Sequence, residues 1–193
     1  YTLAKGIGYP MFLVLAKKLC LPYSVLLALL QAVGAWLFVR ALSVRWKNPY
    51  GQTLLYLLLL FSPISLTQLV TQRLYRMAIV PGMVLVVFSG MIGLTLRKEL
   101  PLKKQLPWAV LTGVALAFFW QIREDSVWIL PFVAVMTVWN VGYVILALHK
   151  KRTGRQLLLQ CFILLLPILL LFGGNMTISA INQVHYGVFL TND

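Results

Sequence analysis

The triplet Arg123-Glu124-Asp125 stands between two apolar stretches, Phe118-Phe119-Trp120-Gln121 before it and Val127-Trp128-Ile129-Leu130 after it. Carboxylates so placed can deprotonate a hydroxyl, hold a cation or clamp a substrate hydroxyl. The apolar run before the triplet, Pro107–Ile122, gives about 16 residues and about 24 Å of helix, which barely crosses a hydrocarbon core. The triplet is therefore expected within a cavity below the outer surface, where ionisable groups point to function. The alternative is a plain polar turn between two helices, with Arg123 neutralising a neighbour.

A second set lies in Thr67-Gln68-Leu69-Val70-Thr71-Gln72-Arg73-Leu74-Tyr75-Arg76. In a helix, Arg73 and Arg76 share one face, and Gln68 and Gln72 share the neighbouring one. Paired guanidinium groups suit a phosphate or diphosphate, whose oxygens accept two parallel bonds from each planar donor. Arginines near a membrane surface also reach for lipid phosphate without any substrate, and that reading stays open beside the first. The candidate substrate-binding set is Gln72, Arg73, Arg76 and Arg123, and the candidate catalytic residues are Glu124 and Asp125.

The remaining polar motifs are less specific. Lys5-Gly6-Ile7-Gly8-Tyr9-Pro10 is no nucleotide fingerprint, since no strand precedes it and no third glycine follows at the required spacing. Its glycines are expected to make a tight turn that caps a short helix, with Pro10 in the first turn. Asn182, Gln183, His185 and Tyr186 lie near the end of the chain, after a sequon at Asn175-Met176-Thr177. The sequence holds no Ser/His/Asp set, no His-Glu-x-x-His and no P-loop. Cys20 and Cys161 are its only cysteines, which argues against a disulfide framework.

The elements that must position these residues follow from composition. Of the 193 residues, 61% are hydrophobic and 11% charged, and mean hydropathy is +0.87. Soluble domains carry about 45–50% apolar and about 25% charged residues. An all-α, polytopic membrane helix bundle is expected, as a single transmembrane domain over 1–193. Six apolar runs approach spanning length: Ser24–Leu42, Thr53–Val70, Ala78–Leu96, Pro107–Ile122, Val127–Leu148 and Gln156–Gly174. Pro10–Leu21, with Lys17 and Lys18 inside it, is too short to span and reads as an interfacial or re-entrant helix. Pro107 is expected to open its span, and Pro63 and Pro167 to kink theirs. The division expected is an outer segment 1–23, a six-helix bundle 24–174 and an outer segment 175–193.

The net charge of +13 comes from short basic clusters between apolar runs, a pattern of membrane topology and not of a nucleic-acid face. Arg40, Arg45, Lys47, Arg97, Lys98, Lys103, Lys104, Lys150, Lys151, Arg152 and Arg155 fall in one set of alternate loops, 11 of the 17 basic residues. The positive-inside rule makes those loops cytoplasmic and puts both chain ends outside. Membrane lipids are the expected partners, and nucleic acid is not.

The stretch Thr2-Leu3-Ala4-Lys5-Gly6-Ile7-Gly8-Tyr9-Pro10-Met11-Phe12-Leu13 resembles a pattern of the GT-C class of polytopic membrane glycosyltransferases. Many bacterial members carry a Gly-Tyr-Pro-x-Phe-Leu or Pro-Pro-Leu stretch that opens a short surface helix after the first outer loop. Ser62-Pro63 followed by Arg73 and Arg76 is similar to the family's third and fourth helices. The hairpin through Arg123-Glu124-Asp125 to Leu130-Pro131 is similar to the one that follows. The resemblance implies a polyprenyl-phosphate sugar donor, a site on the extracytoplasmic side of a bacterial inner membrane, and a divalent cation as a possible cofactor. It also implies a principal acidic motif in the loop after a first transmembrane helix, which would precede Tyr1. The chain is accordingly expected to be a fragment, inactive alone. The rival reading is a transporter, or a lipid-binding or structural membrane subunit without catalysis, although no repeated halves or matching helix breaks mark a transporter.

Overall fold

A computed structural model describes residues 6–63, 76–122, 126–148 and 153–191. Among them the chain is helical with no strand: α1 Gly8–Lys18, α2 Tyr23–Leu42, α3 Pro49–Leu60, α4 Val80–Arg97, α5 Leu102–Trp120, α6 Leu130–Leu148 and α7 Gly154–Tyr186. Single 3₁₀ turns, Arg76–Ile79 and Ser126–Ile129, lead into α4 and α6. The expected all-α bundle is the observed fold.

Local sequence sets the helix ends. Asn48 caps α3, its side chain accepting from the amides of Tyr50 at 3.1 Å and Gly51 at 3.5 Å, with Pro49 in the first turn. Thr153 and Gln156 form a reciprocal capping box at the start of α7. That helix stops at Gly187, whose φ of 74° suits a residue without Cβ. The end of α1 is less usual. The amide of Leu21 donates to Ala16 O at 3.0 Å and that of Cys20 to Lys17 O at 3.1 Å, the bond pair of a Schellman motif. Its left-handed position is filled by Cys20, at φ 53°, where glycine is usual.

The centre of the bundle is α4. Of its best 18-residue apolar window, extended by the preceding turn, 56% is buried, against 28–33% for α2, α6 and α7. It packs most extensively on α2 and then on α5, and α5 packs in turn on α7. Small residues allow the approach. A Cβ on Gly34 of α2 would meet Gly82 O at 3.2 Å, and one on Gly90 of α4 would overlap the Thr112 side chain of α5. Close helix contact through small residues is the usual solution where lipid removes the hydrophobic drive. Polar side chains turn inward: Ser89, Thr112, Gln105 and Gln160 are buried, while Val135, Val138, Leu146 and Leu158 are two-thirds or more exposed. This inside-out distribution is compatible with an integral membrane protein.

Among the described residues, four helices are long and apolar enough to cross a bilayer: α2, α4 and α6, the last two with their leading turns, and α7. Three expected boundaries are corrected. The span expected from Pro107 begins at Leu102, after Pro101, so Pro107 lies inside α5 and that helix has 19 residues. A proline in the second turn forfeits one backbone bond, and the start of α5 is held by Gln105, whose amide donates to Leu100 O at 2.7 Å and Lys98 O at 3.2 Å. Within Thr53–Val70, α3 ends at Leu60, ahead of Pro63, and residues 64–70 lie outside the described set. The run expected to end at Gly174 continues as α7 to Tyr186 in one helix of 33 residues, about 50 Å long. Pro167 is buried within it.

Candidate functional site

The ends of the helices separate into two faces. At one meet the C-terminal ends of α2, α4 and α6 and the N-terminal ends of α3, α5 and α7. At the other, α1 and the turns into α4 and α6 meet the C-terminal end of α5 and the stretch of α7 around Asn175.

The second face is built around Gln121, the residue that closes α5. The amide of Gly8 donates to Gln121 O at 2.9 Å. A Cβ on Gly6 would stand 2.2 Å from Gln121 O, and one on Gly8 2.7 Å from Gln121 C. The two glycines thus permit backbone-to-backbone docking of α1 on α5. As expected from sequence they flank a turn that opens the short helix, with Ile7 its N-cap, although neither glycine has a positive φ. The Gln121 side chain donates to Asn175 Oδ1 of α7 at 2.6 Å, while its buried Oε1 has no partner among the described residues. Tyr9 and Phe12 of α1 pack edge-on against Tyr23 of α2, with ring centroids 6.3 and 6.0 Å apart. Beyond the acidic triplet, the Ser126 hydroxyl donates back to Phe119 O at 3.2 Å, and Trp128 packs edge-on against Phe119 at 5.9 Å. Five helices converge here.

Arg123, Glu124 and Asp125 lie outside the described residues, as do Gln72 and Arg73. Their flanks are described. Gln121, Ile122 and Ser126 are 5%, 1% and 0% exposed, so the chain enters and leaves the triplet from buried positions. The short span that suggested a recessed triplet is not observed, because α5 begins five residues earlier. The buried flanks now supply the argument. Arg76 opens the turn into α4, at the same face as Gln121. The sequon is also resolved: Asn175 lies within α7 and is engaged by Gln121. No group of three His, Cys, Asp or Glu side chains able to hold a metal occurs among the described residues, and both cysteines are free thiols.

The basic face contains residues that sequence reading took only as markers of topology. Arg97, 8% exposed, is turned back into the bundle. Its Nη2 donates to Arg40 O at 2.8 Å, and its Nη1 to Ala41 O and Gly93 O at 3.2 Å each. The guanidinium lies 4.4 Å from the centroid of the Trp108 ring. One arginine of α4 thereby satisfies the last carbonyls of α2. Lys98 stands 3.7 Å from the Tyr143 ring centroid and 5.9 Å from that of Trp139. Burial holds its ammonium below the usual lysine range, Arg45 adds to that, and Glu99 opposes it. Glu99 accepts from the Tyr143 hydroxyl. Gln160 of α7 donates to Lys98 O, so the loop between α4 and α5 is bound to both α6 and α7. The sequence signal for these contacts is slight: an arginine in the last turn of a helix, with tryptophans on later helices.

No protein family, curated protein or solved structure matches the chain.

Proposed function

We propose that this chain is the core of a membrane glycosyltransferase that takes a sugar from a polyprenyl-phosphate donor. The reaction is assigned to the face that carries Arg76 and Arg123-Glu124-Asp125, on the extracytoplasmic side of a bacterial inner membrane. The observation that carries the reading is the docking of α1 on Gln121 at 2.9 Å, two residues before the acidic triplet. It brings the short helix opened by the Gly-Tyr-Pro motif against the base of the hairpin, two of the three parts on which the resemblance to the GT-C class rests. Buried flanks on both sides of the triplet support a recessed position for its carboxylates.

The chemistry follows from the residue types. A carboxylate of Glu124 or Asp125 would accept the proton of an acceptor hydroxyl, or hold that hydroxyl in position for attack. The acceptor oxygen bonds to the anomeric carbon as the bond from that carbon to the phosphate oxygen breaks. Arg73, Arg76 and Arg123, with Gln72, would receive the developing charge on the departing lipid phosphate. If transfer uses a divalent cation, Glu124 and Asp125 are the residues to hold it.

Donor binding tests the phosphate clamp. In membranes carrying the intact protein, Arg73→Ala and Arg76→Ala should weaken binding of a polyprenyl-phosphate sugar about 10- to 150-fold, the worth of one charge-assisted bond. Unchanged affinity in both single variants and in the double variant would leave the arginines as lipid anchors. Donor binding without any transfer would favour the rival reading of a lipid-binding subunit.

A further inference from the structure

At the basic face, α2 and α3 diverge and leave a cleft of about 340 Å³. Trp36 and Arg40 line it from α2, and Gln52, Thr53 and Tyr56 from α3. It runs from Ser43, at the very end of α2, to Trp36 about two turns deeper, a depth of about 10 Å of helix. That depth matches the step from head groups to upper acyl chains. Its polar groups lie at the Ser43 end and its aromatic wall towards the bundle midplane.

The polar lining is largely occupied by local bonds, apart from Arg40. Ser43 donates to Arg40 O, Thr53 to Pro49 O and Gln52 to Trp46 O. The Arg40 side chain is exposed, and no carboxylate among the described residues pairs with it. Its backbone is fixed, because Arg40 O accepts from both Ser43 and the buried Arg97. Arg45 and Lys47 follow in the loop to α3. The single carboxylate among the described residues, Glu99, accepts from Tyr143 on α6. Arg40 is the cation that lines the cleft, and an aromatic wall of Trp36 and Tyr56 continues from it along the helices.

We infer that the α2–α3 cleft binds the head group of an anionic glycerophospholipid, with the Arg40 guanidinium on the phosphate and Trp36 and Tyr56 against the glycerol and upper acyl chain. A planar donor fork grips phosphate oxygens with two parallel bonds. Basic pockets between membrane helices on the Lys/Arg-rich side are suited to anionic head groups. This site lies at the face opposite Gln121 and Ser126, so it stands or falls independently of sugar transfer.

The experiment is lipid retention and thermal stabilisation of the purified protein in detergent, with phosphatidylglycerol against phosphatidylcholine. Wild type should bind phosphatidylglycerol preferentially and be stabilised by it. Arg40→Gln should weaken that binding about tenfold or more. The substitution leaves the Arg40 carbonyl and its two bonds in place, so the fold should persist. Trp36→Ala, which removes wall and not charge, should weaken it as well. Lys103→Gln and Lys104→Gln, exposed on the same face outside the cleft, should leave binding near wild type. Arg40→Gln binding as tightly as wild type would overturn the assignment. So would equal losses from the two lysine variants, which would mean a diffuse surface charge. Equal stabilisation by inorganic phosphate would mean an anion site indifferent to lipid, and would overturn it too.

Discussion

Replacing Gly8 with alanine tests the docking of α1 directly. The new Cβ would lie 2.7 Å from Gln121 C, 2.9 Å from Gln121 O and 2.9 Å from Ile122 N. All three are backbone atoms of a buried helix end, so no side chain can swing away. Helix α1 must retreat by about 0.7–1 Å to restore ordinary carbon contacts. That movement stretches the Gly8 amide bond to Gln121 O, worth about 0.5–1.5 kcal/mol net. It also loosens Phe12 and Ala16, the other buried residues of α1, and overpacking typically costs about 1–3 kcal/mol. Together about 2–4 kcal/mol should be lost from α1 docking. The loss should be local, because among the described residues α1 packs mainly on α2 and α5. Exposed Lys17 and Lys18 give a readout, since trypsin should cut there faster in Gly8→Ala than in wild type. Gly142→Ala is the control: nothing lies within 4 Å of its Cβ, and alanine should be neutral or stabilising by up to about 1 kcal/mol. Equal cleavage rates in Gly8→Ala, Gly142→Ala and wild type would refute the reasoning.

Arg97→Met should lower stability by about 2–4 kcal/mol in denaturant or thermal unfolding, because it removes the guanidinium bonds to the carbonyls of Arg40, Ala41 and Gly93, of which Arg40 O keeps only Ser43. Arg97→Lys should recover little, since one ammonium cannot reproduce the fork and the contact with Trp108; full recovery would show that charge alone suffices. Cys20→Gly should raise stability by about 0.5–1 kcal/mol by removing a Cβ from a left-handed position. No gain in unfolding midpoint would show that the local geometry tolerates cysteine without strain.

Much of the fold was legible because apolar runs state spanning length directly, and Pro81 near the start of α4 and Gly187 after α7 carry their usual meaning. Pro107 misled, since a proline is tolerated inside α5 once Gln105 and Gln160 secure the neighbouring loop. Helix α7 outran its apolar segment because the less apolar residues after Gly174 include no proline, and no glycine before Gly187, to stop it. The docking face was half legible. Gly6 and Gly8 drew notice, but their partner is 113 residues from Gly8, and no local pattern announces a long-range backbone contact. The Gln121–Asn175 bond and the burial of Arg97 were hidden for the same reason. A charge beside an apolar run looks identical whether it faces water or turns back onto a neighbouring helix.

The most direct test of the central claim is sugar transfer by the intact protein in liposomes. A polyprenyl-phosphate sugar with a labelled sugar serves as donor, and wild type is compared with Glu124→Gln and Asp125→Asn. Both substitutions keep the size of the side chain while exchanging one acceptor oxygen for an amide donor and removing the proposed base. At least one should lower the transfer rate about 10²- to 10⁴-fold, with expression and tryptic pattern unchanged. Transfer at the wild-type rate in both variants would make the triplet an ordinary turn and contradict the account.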